Sequence, residues 1–137
     1  MGRWFKAIVT HDGSTSTLNQ YASEELWFMD HDFKRPFSSP EDFQAGSPYY
    51  DWNPLLFADQ WATPHFVVHN TLDYRLPESE GILLFNELQV RGVPSKFLNF
   101  PDENHWVTNR ENSLVWHTEI FKWINYYSGL SDADSPY

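Results

Sequence analysis

From Phe5 to Thr10 the chain runs FKAIVT, apolar and β-branched, and it stops at His-Asp-Gly, where Gly13 can supply a turn. This predicts a buried strand. Leu18 to Met29 (LNQYASEELWFM) brings apolar residues round near helical spacing and predicts a helix. The stretch from Asp32 to Asn53 contains Pro36, Pro40, Gly46 and Pro48, which interrupt regular backbone, so it reads as loop with helical fragments. Leu55 to Trp61 predicts a short helix, stopped by Thr63-Pro64 ahead of a second strand, His65 to His69 (HFVVH).

Beyond Pro77, SEGILLFNELQVRG sets Leu83, Leu84, Leu88 and Val90 in a helical stripe that Gly92 closes at the C-cap. Ser95 to Phe100 (SKFLNF) alternates as a third strand and leads into the polar loop PDENHW. A long amphipathic helix follows from Glu111 to Tyr127, with Leu114, Trp116, Ile120, Phe121 and Ile124 on its expected apolar face. The tail from Ser128 to Tyr137 reads as frayed, and Asp132 to Asp134 as a solvated end.

Strand and helix alternate three times, which predicts an α/β architecture of about three parallel strands flanked by helices. The strands are nearly continuously apolar, as strands covered on both faces must be. Three strands make a thin sheet for that arrangement. The expectation is therefore that the 137 residues are part of a larger domain.

Composition narrows the classes. Apolar residues are 41% of the chain and aromatics 18%, with seven Trp and eleven Phe, too much buriable surface for a disordered segment. Nineteen acids against nine bases give a formal charge of −10 without a basic stripe, which argues against nucleic acid or an anionic membrane as partner. With no cysteine there is neither a disulfide framework nor a thiolate metal site, and the redox compartment stays open. The N-terminal MGRWFKAIVT lacks the apolar stretch of a signal peptide. Lys6 stands where a myristoylation signal needs Ser or Thr, and no Asn-x-Ser/Thr sequon occurs.

In open parallel sheets the reactive groups stand on loops beyond the carboxyl ends of the strands. Two such loops are unusual here. NTLDYRLP after the second strand carries Asp73, and PDENHW after the third carries His105, each shortly past its own strand end. A carboxylate that accepts an imidazole N–H fixes the tautomer and stabilises the imidazolium, leaving the other nitrogen to take a proton from a hydroxyl. In α/β-hydrolases the chain order is Ser, Asp or Glu, then His, with Ser on a G-x-S-x-G elbow. Only the last two members have candidates in this sequence. Spacing alone leaves the plainer alternative open: Asp73 caps a turn, and His105 is one of six histidines, placed on a polar loop.

The blocks PHFVVHN-x-x-DYRLP and FPDENHW, followed by a long final helix, resemble the end of the catalytic domain in the prolyl oligopeptidase family. The pattern most resembles the fungal secreted dipeptidyl-peptidase V and acylaminoacyl-peptidase-like group. FKAIVTHDG and NQYASEELWFM likewise resemble the stretch after that family's nucleophile helix, so the resemblance covers residues 3 to 127. It implies that residues 1–137 form a partial α/β-hydrolase domain, with a nucleophile elbow and a β-propeller lying upstream. It further implies that Asp73 is the triad acid and His105 the general base of a serine exopeptidase, secreted, acting on peptides without metal or cofactor. One departure is Asn70, where many members have Gly; since Asn tolerates left-handed backbone, the expected effect is on the turn only.

Ser14 follows a strand and precedes a predicted helix, so Ser14, Asp73 and His105 fall in triad order. Its neighbours His11, Asp12, Thr15 and Ser16 are too large for a strained elbow, and it reads as a turn or cap serine. His65 and His69, at i and i+4, share a face of a strand and are not a helical metal pair. His11-Asp12 reads as a turn element, most tryptophans as core or domain-interface residues, and Trp106 as a residue lining the pocket entrance. By itself the 137-residue chain is expected to be inactive. Two other readings remain: an esterase or lipase-like hydrolase on the same triad, and a non-catalytic module that self-associates through an unpaired strand edge and exposed aromatics.

Overall fold

The computed structural model describes residues 4–130. Strand β1 (Ile8–His11) is followed by short helices α1 (Trp27–His31) and α2 (Pro48–Asp51), then by β2 (His65–Asn70), α3 (Glu78–Val90), β3 (Ser95–Phe100) and α4 (Arg110–Ser128). All three strands run parallel in the order β1-β2-β3, with Ile8 opposite His65 and His65 opposite Ser95.

Side chains alternate across a strand, and β2 uses both sides. Phe66 and Val68 pack with Phe100 of β3 and with Ile120 and Trp123 of α4. Val67 packs with Leu84 and Leu88 of α3 and with Val93. The two long helices therefore cover opposite faces, which is why β2 reads as a continuous apolar run.

Several elements differ from the sequence expectation for identifiable reasons. β1 begins at Ile8 and not at Phe5, because it pairs only as far as β2 does: the Ile8 N–H donates to the Pro64 carbonyl at 2.9 Å, and β2 starts at the next residue. Phe5 is exposed, and β1 as an edge strand is half-buried. The helix expected over residues 18–29 is broken into a 3-10 turn, Asn19–Ala22, and α1. Ser23 between them is extended, and its hydroxyl accepts the Glu25 N–H at 3.0 Å, a local bond that competes with helix.

On α4 the buried stripe is Trp116, Ile120, Trp123 and Tyr127, while Leu114 and Phe121 point to solvent. A second apolar stripe on the same helix misled the pattern reading. On α3, Leu84 and Leu88 are buried as expected and Val90 is exposed. Gly92 has φ 68°, the left-handed conformation its capping role requires. α4 is regular through Ser128, so the tail does not begin to fray there. Residues 131–137, with Asp132 to Asp134, lie outside the described residues.

The proline-rich middle is organised by one buried carboxylate. Asp42 accepts the Arg35 guanidinium, the backbone N–H groups of Ser38 and Ser39, and the Ser47 hydroxyl. The Arg35 bond, then the Ser38 and Ser39 amides, hold its carboxyl well below the usual carboxylate range.

Candidate functional site

The carboxyl ends of the three strands converge on a buried polar cluster. At the tip of β2 the Asp73 N–H donates to the Asn70 carbonyl at 3.2 Å and closes a turn. The Asp73 side chain then has two uses. Its Oδ1 accepts the backbone N–H groups of Arg75 and Leu76, both at 2.9 Å, and its Oδ2 lies 2.8 Å from His105 Nδ1. The ring N–H at Nδ1 donates to this carboxylate. His105 Nε2 has no hydrogen-bond partner among the described residues, so this nitrogen is left to exchange a proton with an incoming group. Asp73 is fully buried, while the His105 side chain keeps 23% exposure.

The loop carrying His105 is held from both sides. Thr71 N–H donates to Phe100 O at 3.1 Å and Leu72 N–H to Glu103 O at 3.0 Å, which extends the pairing of β2 and β3 past their ends. Glu103, buried, accepts the backbone N–H of Thr108 at 3.0 Å, that of Asn109 at 2.8 Å and the Asn112 amide at 2.9 Å. Burial alone would raise its carboxyl, but these donors together hold it below its ordinary value. Trp106 stands edge-on to His105, ring centroids 5.5 Å apart, and is 64% exposed.

The structure thus brings Asp73 and His105 together. It also adds residues that sequence reading did not. Asn70 does not alter the turn by left-handed backbone; it is the last residue of β2, fully buried, and the non-glycine residues with positive φ among those described are Asp12 and Lys34. Asp12, at φ 47°, turns its carboxylate inward: Oδ1 accepts the Asn70 N–H at 3.1 Å, and Oδ2 accepts the Asn70 amide at 3.2 Å and faces His11 Nε2 at 2.9 Å. The His-Asp-Gly signal was visible in the sequence, but nothing local says that a turn carboxylate bonds to the end of the neighbouring strand.

The other candidates stand elsewhere. Ser14 is exposed; its hydroxyl accepts the Gln20 amide and makes no bond to His105. His65 and His69 do not converge: His65 Nε2 meets Thr10 Oγ1 at 2.6 Å, whereas His69 Nε2 donates to the Leu76 carbonyl at 2.9 Å. Burial lowers the His65 pKa to about 4. Asp12, His69 and Asp73 have polar atoms within 4.8 Å of one another, yet protein hydrogen bonds already engage all three side chains, so they read as a network. Of the seven tryptophans Trp123 is fully buried, while Trp4, Trp27, Trp52 and Trp106 are exposed.

Solved structures share this architecture. A puromycin-hydrolyzing peptidase from Mycobacterium tuberculosis superposes with a TM-score of 0.74 at 18% identity, over 90% of this chain and 18% of its own. An acylaminoacyl peptidase from Pyrococcus horikoshii does so at 0.69 and 18% identity, over 98% and 22%. At such identities the likeness establishes the fold, and with the strand-tip geometry it puts the chain in the α/β-hydrolase class. Sequence carries the assignment further. Residues 1–131 match the model of the prolyl oligopeptidase family, and the chain belongs to that family. Among its curated relatives are a probable dipeptidyl-peptidase 5 of Emericella nidulans, 53% identical over 133 residues, and the dipeptidyl-peptidase 5 of Aspergillus oryzae, 50% identical over 135. The chain spans 18% of the length of each.

Proposed function

We propose that this chain supplies the acid and the base of a serine exopeptidase of the dipeptidyl-peptidase type, with Asp73 as the triad acid and His105 as the general base. The carrying observation is the 2.8 Å contact between His105 Nδ1 and Asp73 Oδ2, which leaves Nε2 unoccupied. In that role His105 takes the proton of a serine hydroxyl as it attacks the carbonyl of a peptide bond, then returns it to the leaving amine, while Asp73 holds the tautomer and stabilises the imidazolium. The names of the relatives favour release of dipeptides from peptide N-termini, and secretion is proposed on the same family ground. The 137 residues contain no G-x-S-x-G, so the polypeptide of this sequence alone is proposed to be inactive.

The test exchanges these residues for the matching segment of the Emericella nidulans relative and assays a chromogenic dipeptide anilide. Activity that disappears with His105→Ala supports the reading; activity that survives it sinks the reading. For the 137-residue polypeptide, labelling by a fluorophosphonate at Ser14 would contradict the assignment. One observation also favours an association role. Trp4 is 85% exposed beside the edge strand β1, whose outer backbone groups are open to pairing. Concentration-dependent sedimentation of the chain tests it.

A further inference from the structure

We infer that Asp12 is a positioning residue for His105: a second buried carboxylate that faces the imidazole from the tip of β1 and, through Asn70, ties down the loop on which it stands. The inference rests on the reading of His105 as the base, and it adds a group from a third strand that the Asp–His pair does not include.

Two observations carry it. The first is distance and charge. Asp12 Oδ2 lies 4.0 Å from His105 Nδ1, on the same nitrogen that Asp73 Oδ2 holds at 2.8 Å. Asp12 is 4% exposed; its oxygens accept the Asn70 N–H and the Asn70 amide and face His11 Nε2, with His69 Nε2 at 3.9 Å and an Asp73 carboxylate oxygen within 4.8 Å. The second is the strut. Asn70 Nδ2, held by Asp12, also donates to the Asn104 carbonyl at 2.6 Å, one residue before His105. One chain of bonds, Asp12 to Asn70 to Asn104, crosses the tips of all three strands and sets the height of the base loop.

The backbone supports a role beyond turn formation. Asp12 holds φ 47°, a left-handed conformation that ordinary residues adopt only at a cost. The turn directs the side chain to Asn70 at the tip of β2 and away from solvent.

The charged and titratable groups around His105 are Asp73 from the β2 loop, Asp12 from the β1 tip, His69 of β2 at 3.7 Å from Asp73 Oδ2, and His11 of β1 on Asp12. Glu103 on the same loop is engaged by Thr108, Asn109 and Asn112. Of these, Asp12 is the second carboxylate within reach of the ring. Its negative charge favours the imidazolium that forms when the base takes its proton.

The experiment measures the His105 titration midpoint by imidazole NMR in the chain, for the unmodified sequence, Asp12→Asn and Asn70→Ala. Asn keeps the size of Asp and tolerates left-handed backbone, so Asp12→Asn removes chiefly the charge. The midpoint should fall, because a neighbouring negative charge is removed. Asn70→Ala keeps the carboxylate and should move it by less than half as much while broadening the signals of residues 103 to 108. A folded Asp12→Asn chain whose midpoint does not move overturns the inference. The same substitution in the segment-exchanged enzyme reads the midpoint again, as the acidic limb of kcat/KM, with His11→Gln beside it to separate His11. An Asp12→Asn protein that is unfolded in both settings also overturns the inference, since Asp12 is then only a structural strut. If His105→Ala stays active, the proposed function fails; if His105→Ala is inactive and the limb stays put in Asp12→Asn, only this inference does.

Discussion

Gly81 in the first turn of α3 packs directly against His69 of β2: a Cβ at 81 would stand 2.5 Å from the His69 Cβ and 2.7 Å from its Cγ and Nδ1. No real Cβ contact is that short, so the helix approaches the strand only because the residue is glycine. The contact also accounts for the His69 ring. Nε2 donates to Leu76 O, and Nδ1, turned to the helix, has no hydrogen-bond partner among the described residues. Gly81→Ala should destabilise by about 1–3 kcal/mol, the usual cost of overpacking. Urea unfolding checks it.

Asp73 is both a turn cap and a partner of His105, and the two uses separate experimentally. Removing His105 leaves the Arg75 and Leu76 amides on Asp73 Oδ1 but takes the donor from its buried Oδ2, so His105→Ala should cost about 1 kcal/mol. Asp73→Ala strips two amides of their acceptor and should cost about 1–2 kcal/mol. In the segment-exchanged enzyme Asp73→Asn should lower kcat by about 10⁴-fold through the wrong tautomer, with a much smaller loss of stability. Thermal unfolding beside steady-state kinetics checks the split.

The strand-tip pair was legible because its signals are local. HFVVH and SKFLNF mark two strands, and each is followed at short range by a residue of the right chemistry. Parallel pairing then brings the loops together with little further information. Asp12 was not legible, because its use depends on β1 pairing with β2 in one register and on a left-handed turn that directs the carboxylate to Asn70. The 18–29 segment failed for the opposite reason: its apolar spacing is helical, but the Ser23 hydroxyl and the Glu24 bond to the Tyr74 carbonyl at 2.8 Å take its backbone elsewhere. Tertiary partners decided both cases, and these are invisible to spacing.

On α4 the sequence offers two apolar stripes, and the sheet chooses one. Trp123 is fully buried against Phe66, ring centroids 5.7 Å apart, whereas Phe121 is 58% exposed. Trp123→Ala should cost about 3–5 kcal/mol, with the cavity term included. Phe121→Ala should stay within about 0.5 kcal/mol, as surface substitutions do. Comparable losses at both positions would mean that the second stripe is also covered in solution, and sedimentation of the unmodified chain would then show by what.

His65 provides a pH dependence whose sign follows from its burial. Its pKa in the folded chain is about 4, against an ordinary 6.5, because the half-buried ring beside Thr10 is a poor place for a cation. The unfolded chain takes up this proton at the ordinary value and the folded chain only near the lower one. Between them unfolding binds a proton, so this contribution is fully present above pH 6.5 and is lost as the pH falls toward 4. The whole effect amounts to about 3 kcal/mol, an upper figure for a ring that retains some solvent contact. His65→Gln can keep a hydrogen bond to Thr10 and has no proton to gain. Its stability, followed by urea unfolding from pH 7 to pH 4, should fall less steeply than that of the unmodified chain, and parallel curves would show that His65 does not titrate as its burial requires.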